Sequence, residues 1–242
     1  PKIRRKVKEV IPSTTNPGNF DHPSASAMWL QQFRSQNSDL LKDLQLTTGE
    51  TYTWSRREAT EAGSSIMDLV EHGINRSRYS TDAVAALTKE LKRNALEGRC
   101  KLAFVVDGMN SFFTPGTLYK VDGVYVGPEK FTFYQAFMHF LQNDWKNGVI
   151  VGTVDLKANE GNRRESYLPR YLLHKKGWET LDPFVPIPVK DYNEREMSSV
   201  LDYYTERNWI QTVDGTSEEA RQELTAYSNH NPRSLMEICR SL

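Results

Sequence analysis

The sequence predicts an α/β fold built on a parallel sheet, followed by a helical C-terminal subdomain. Three observations carry that prediction. Leu102–Val106 is a run of five apolar residues that stops abruptly at Asp107-Gly108. A second, largely apolar run follows Gly148, from Val149 to Val154, and ends in Asp155. Beyond about residue 189 the hydrophobic pattern is helical throughout. Short continuous apolar runs bounded by turn signals fit strands buried on both faces of a parallel sheet. With a helix between them they form a βαβ unit, whose ligand positions lie at the carboxyl ends of the strands. The expected division is an α/β core over 1–189 and a helical subdomain over 190–242.

Each element follows from its local pattern. Residues 11–27 hold three prolines among small polar residues and read as an extended loop. Met28–Leu44 reads as a helix with Trp29, Leu30, Phe33, Leu40, Leu41 and Leu44 near one face. Residues 45–65 read as irregular. Ser65–Gly73 predicts a short helix stopped by its glycine. Thr81–Arg93 is the clearest amphipathic helix, with Val84, Leu87 and Leu91 recurring on one side. The Asp122-Gly123 pair, flanked by Val121 and Val124, predicts a small hairpin. Pro128–Asp144 reads as a helix that buries Phe133, Phe137, Phe140 and Leu141. Residues 157–166 read as a charged, mobile loop. The prolines of 183–189 allow an edge strand at best. Three helices follow: Asp191–Asn208, Ser217–Ser228 with Ser217 as cap, and one begun by Pro232, where proline is tolerated.

Composition narrows the function classes. Lys+Arg and Asp+Glu both number 31, so the net charge is zero and no overall field draws in nucleic acid. Any contact with RNA must come from local patches. Cys100 and Cys239 are the only cysteines, which argues against a disulfide framework and for a reducing compartment. The five histidines are scattered without metal-ligand spacing, and no apolar run approaches a membrane-spanning length. The first eight residues carry five basic groups, Lys2, Arg4, Arg5, Lys6 and Lys8, which read as a solvated end, a transit-peptide stub or a phosphate-contacting arm.

The candidate chemistry lies at the strand ends. Asp107 stands where an acid holds the magnesium of a bound nucleotide in P-loop proteins; it is equally a turn or cap residue. Asn110 suits the orientation of a water or phosphate, or a turn. Thr153 ends the second strand, either as a phosphate-sensing hydroxyl or as a β-branched strand residue. Arg233, behind Asn231-Pro232, opens the last helix, either as a lid arginine that reaches a nucleotide or as a solvated surface group. Two aromatic-basic stretches, Tyr52 to Arg57 and Asn162 to Arg170, offer Arg56, Arg57, Arg163 and Arg164 to RNA. The same stretches also suit packing a loop on the domain with the arginines in water. No G-x-x-x-x-G-K-[ST] loop occurs, so no backbone cradle for phosphates is encoded and no nucleotide hydrolysis by this chain alone is expected.

Successive blocks then become recognisable: FDHPSASAMWL, YTWSRREATEAGSS, VEHGINRSRYSTDAV, LTKELKR, FVVDGMN, NDWKNG, YLPRYLL, LDPFVPIPVKDYN and NWIQ. Together, and in this order, they resemble the death-associated protein three family, GTP-binding proteins of the mitochondrial small ribosomal subunit. The resemblance runs from about Phe20 to Leu242. It implies an AAA+-like P-loop NTPase fold with a helical lid, here an incomplete sheet, because the family's P-loop lies upstream of the block near Phe20. The expectation is therefore an N-terminally incomplete chain. The resemblance also implies GTP or GDP with magnesium as ligand, with Asp107 as the magnesium-holding acid and Thr153 and Arg233 at sensor positions. As partners it implies mitochondrial small-subunit ribosomal RNA, neighbouring ribosomal proteins, and large-subunit proteins across a bridge in the head region, with no membrane contact. The implied function is a structural part of the mitochondrial ribosome. The alternatives are a regulatory GTPase and a pro-apoptotic adaptor.

Overall fold

The computed structural model describes residues 10–114, 120–121, 124–155 and 168–240. The chain divides into two compact units, Pro1–Phe184 and Val185–Leu242.

The first unit opens with β1 (Ile11–Pro12) paired antiparallel to β2 (Phe20–Asp21). The stretch expected to be only a loop therefore folds back on itself. Helix α1 (Pro23–Leu44) begins five residues earlier than expected, with Pro23 in its first turn. A proline is pre-set for that position, and the small residues behind it allow close approach. Ser26 is fully buried there and hydrogen-bonds Thr81 at 3.0 Å. A hairpin of β3 (Tyr52–Thr53) and β4 (Ala59–Thr60) occupies the region read as irregular.

Helix α2 (Ile66–Asn75) is capped by Ser65, which accepts from the Met67 amide. Gly73 does not stop it. A Cβ there would lie 2.5 Å from both the Ala83 Cβ and a Leu30 methyl. The glycine serves a close helix crossing, which the sequence alone reads as a stop. Helix α3 (Ser80–Leu96) is the axis of the unit. Val84 and Leu87 are fully buried, and it packs against α1 and α2. Its burial extends to polar residues. Glu90, 1% exposed, accepts from the Gly49 amide, Tyr52 Oη and Arg93 Nε at 2.9, 2.8 and 2.7 Å. These bonds fasten the β3–β4 segment to α3 and satisfy a carboxylate that would otherwise be costly to bury.

Strand β5 (Leu102–Val106) follows. As expected of a small hairpin, β6 (Lys120–Val121) pairs antiparallel with β7 (Val124–Tyr125). The Pro128–Asp144 helix is broken. Phe131 takes an extended backbone and bridges to Phe20, so only α4 (Thr132–Met138) is α-helical, with 3-10 turns on either side. Strand β8 (Gly148–Gly152) pairs in parallel with β5, from Leu102↔Gly148 to Val106↔Gly152. Among the described residues this sheet has two strands.

The pair is not buried on both faces. Phe104 packs on Phe137 and Phe140, with ring centroids 6.0 and 4.8 Å apart, and Val106 and Ile150 join a core around Met109, Phe113, Leu141 and Leu173. The opposite face, with Val105, Val149 and Val151, is exposed. A continuous apolar run cannot tell a two-sided strand from one whose second face is bare. Two short helices, α5 (Pro169–Leu172) and α6 (His174–Leu181), complete the unit. The expected mobile loop at 157–166 lies outside the described residues.

In the second unit the proline-interrupted stretch forms no strand, and Val185, Ile187 and Val189 are exposed. Helix α7 (Glu194–Glu206) starts with a capping box in which Asn193 and Glu196 bond each other's backbone. Ser217 caps α8 (Glu218–Ser228), and Asn231 caps α9 (Pro232–Cys239). Met197, Leu201, Ile210, Leu224, Leu235 and Cys239 form the core of this unit. Among the described residues, no helix is long and apolar enough to cross a membrane.

Candidate functional site

The carboxyl ends of β5 and β8 bring three of the predicted residues together. Asp107-Gly108 turns the chain sharply after β5. Gly108 sits at φ +63°, a left-handed conformation that a side chain would strain. The Gly108 amide donates to Thr153 Oγ1 at 2.9 Å, and that hydroxyl donates to Asp107 Oδ1 at 2.5 Å. The Thr153 backbone continues the pairing, its amide bonding the Val106 carbonyl and its carbonyl the Met109 amide, at 2.9 and 2.8 Å. Asp107 and Thr153 are both exposed, as a ligand site requires.

Asn110 is placed differently. It is fully buried, and its amide is used twice on one residue. Nδ2 donates to the Asp155 carbonyl at 2.7 Å, and Oδ1 accepts from the Asp155 amide at 3.2 Å. The side chain clamps the exit of one strand to the exit of the other. Nothing in the sequence distinguishes this clamp from a turn residue.

These residues supply a carboxylate suited to a hydrated magnesium ion. They do not supply a nucleotide site by themselves. Among the described residues, neither a cationic side chain nor a run of backbone amides, the two kinds of group that hold a phosphate, is bonded into this cluster. Among the same residues there is no group of three or more His, Cys, Asp or Glu able to hold a metal. Arg233 is exposed in the first turn of α9 and belongs to the second unit.

The basic stretches are only partly described. Arg163 and Arg164 lie outside the described residues. Arg56 and Arg57 are exposed at the tip of the β3–β4 hairpin, whose amides at Trp54 and Ser55 both bond the Glu58 carbonyl, at 2.9 and 3.1 Å. The aromatic residues of that stretch are turned inward. The Trp54 ring is stacked between Tyr52 and His72, with centroids 6.0 and 4.9 Å away. The aromatic side chains of this stretch thus pack the hairpin on the domain, and Arg56 and Arg57 stay exposed beside it. Burial lowers the His72 pKa, with Arg76 acting in the same direction and Glu58 against it. Its Nε2 is buried without a hydrogen-bond partner among the described residues.

With the geometry in place, comparison with known proteins decides the family. The model of the mitochondrial ribosomal death-associated protein 3 family matches residues 2–238. The chain belongs to that family. It is 38% identical over 235 residues to the small ribosomal subunit protein mS29 of Bos taurus, covering 97% of this chain and 59% of the relative. Against the mouse protein of the same name it is 37% identical over 238 residues, covering 98% and 60%. The chain thus spans about three-fifths of the length of these relatives. The family is a mitochondrial ribosomal one, and the compartment of this chain is the mitochondrion.

Proposed function

We propose that this family member is a structural part of the mitochondrial small ribosomal subunit. The chain-wide likeness to proteins named for that subunit carries the reading. Its partners would be small-subunit ribosomal RNA, neighbouring ribosomal proteins in the head, and large-subunit proteins across a bridge. The geometry suits this role. The polar groups at the strand ends are largely bonded to one another, which stiffens the fold more than it readies a reaction. A zero net charge suits docking on proteins, with local arginines left for RNA. The test is sedimentation of the tagged protein from mitochondrial lysate at low and high salt. Stable migration with the small subunit is the expected result, and release into the soluble fractions at low salt would overturn the proposal.

A second reading rests on the position of Asp107. An exposed carboxylate at the carboxyl end of a parallel strand is where α/β sheets bind ligands. In an AAA+-like P-loop fold it would hold the magnesium of GTP or GDP, with Thr153 beside it. Arg233 would be a lid arginine, and the phosphate cradle would come from sequence beyond these residues. Asp107→Ala in a protein of the relatives' full length is expected to weaken nucleotide binding roughly 10-fold or more, about 1.4 kcal/mol. An unchanged affinity would remove Asp107 from that role. The adaptor reading finds no support among the described residues.

A further inference from the structure

We propose that the outer corner formed by the β3–β4 hairpin and the α2–α3 junction is a binding surface for the phosphate backbone of folded RNA, made by Arg56, Arg57, Arg76 and Arg78. The inference rests on the ribosomal reading for its setting and on the local geometry for its content.

Two separate segments meet at this corner. Arg56 and Arg57 stand at the hairpin tip. Arg76 ends α2, and Arg78 lies in the 3-10 turn Ser77–Tyr79 before α3. All four arginines are exposed. Two contacts join the segments. Glu58, next to the tip arginines, pairs with Arg76 Nε at 2.8 Å. Beneath it runs a ladder of rings, with Trp54 on His72 at 4.9 Å and His72 on Tyr79 at 6.0 Å. The Trp54 indole is fixed further by its Nε1 bond to Thr60 Oγ1 at 2.9 Å. Arg78 lies over the Tyr79 ring, 5.7 Å from its centroid. The hairpin tip is therefore held to the helical corner by an ion pair above and stacked rings below.

The chemistry of this corner points to phosphate. Of the four guanidiniums, Glu58 pairs with that of Arg76, which leaves these five side chains with an excess of positive charge in a chain whose total charge is zero. Guanidiniums bind phosphate oxygens bidentately. A guanidinium plane laid on an aromatic ring is also the arrangement that stacks with bases. Arginines carried on a pinned scaffold lose less freedom on binding than arginines on a loose loop. The Arg-Ser-Arg-Tyr spacing at Arg76–Tyr79 was visible in the sequence. Its link to Arg56 and Arg57 was not, because about twenty residues separate them.

The test uses the full chain and a fluorescently labelled RNA stem-loop, titrated by anisotropy at several salt concentrations. Arg56→Gln with Arg57→Gln changes side chains that hold no ion pair among the described residues, so folding should survive. That double variant is expected to weaken binding about 10-fold and to reduce the salt slope by about 1 for each arginine. Arg78→Gln should weaken it independently. Arg195→Gln with Arg240→Gln, on exposed positions of the second unit, should leave affinity within about 2-fold. Unchanged RNA affinity in the tip variant overturns the proposal, and so does an equal loss in the control pair. Equal binding of polyglutamate, lost in the same variants, would assign the corner to an acidic protein and likewise overturn it. Sedimentation separates this result from the broader reading. If wild-type protein leaves the small subunit, the ribosomal role fails whatever the titration shows. If it stays while the tip variant keeps full RNA affinity, only the arginine corner fails.

Discussion

Asn110→Ala tests whether the polar cluster at the strand ends is a clamp. The substitution removes two hydrogen bonds to the Asp155 backbone, at 2.7 and 3.2 Å, from a fully buried side chain. A neutral hydrogen bond contributes about 1 kcal/mol net, and more where the abandoned partner stays out of water. Asp155 is half-buried, so water reaches part of what is lost, and the sum is about 2 kcal/mol. For a unit of this size that corresponds to a fall of about 4–8 °C in its melting temperature. Asn110→Asp refines the test. One oxygen still accepts from the Asp155 amide, but the other meets the Asp155 carbonyl, and the new charge is buried. At neutral pH it should therefore destabilise more than alanine. Desolvation raises the folded pKa of the new carboxyl above its unfolded value. Protonation restores a donor, so the deficit should shrink as pH falls through that raised pKa. Urea unfolding followed by tryptophan fluorescence measures both variants. A change below about 0.5 kcal/mol for Asn110→Ala would refute the clamp. An Asn110→Ala protein of normal stability but weaker nucleotide binding would place the side chain at a ligand instead.

Three further outcomes follow from the first unit. Gly73→Val should cost roughly 1–3 kcal/mol, because its side chain would enter the crossing at Ala83 and Leu30; a thermal melt equal to wild type would show that the helices can move apart. Glu90→Ala should destabilise by roughly 2–3 kcal/mol, since Tyr52 and the Gly49 amide lose a buried acceptor while Arg93 keeps Glu97; the check is protease resistance of the 45–65 segment, which should fall with it. The lowered pKa of His72 means that the unfolded chain takes up this proton first as pH drops. Its contribution is full above the ordinary histidine value of about 6.5 and is lost as pH falls through the folded value, so the melting temperature should decline below neutrality. His72→Phe should flatten that decline, and an unchanged pH profile would remove His72 as its source.

Much of the helical architecture was legible because it rests on local pattern and caps. Ser217 accepts from the Ala220 amide of the helix it precedes, and Pro232 opens the last helix where its sequence position puts it. Val84, Leu87 and Leu91 lie where the helical period puts them, inside. The parallel pairing of β5 and β8 was legible too, from two apolar runs and the helical segment between them. What escaped depends on distant partners. Phe131 carries no local mark of an extended backbone, yet its bridge to Phe20 interrupts the α4 region. Gly73 looks like a stop until Leu30 and Ala83 are seen against it. The exposed sheet face was unreadable because Val105 and Val151 have the same chemistry whether covered or bare. At the candidate site the sequence brought Asp107 and Thr153 to one place, and the structure bonds them. The inward use of Asn110 was hidden, since its partner is a backbone 45 residues away.

The arrangement of polar groups separates a scaffold from an enzyme more sharply than the fold does. A reactive site keeps bonding capacity in reserve for its substrate and tolerates the instability that results. At the carboxyl ends of β5 and β8, Thr153 both donates to Asp107 and accepts from Gly108, while Asn110 bonds Asp155 on both sides. Among the described residues these bonds tie the side chains of Asp107, Asn110 and Thr153 to one another or to nearby backbone. At the hairpin corner the balance is reversed. The rings and Glu58 supply rigidity, while Arg56 and Arg57 extend from it with no ion pair of their own among the described residues. Rigid support beneath exposed charge is what a docking surface needs, because order established before contact lowers the entropy lost on binding. On that argument, and under the proposed ribosomal role, the corner and not the strand ends is where changing a single pair of side chains should lower affinity for RNA.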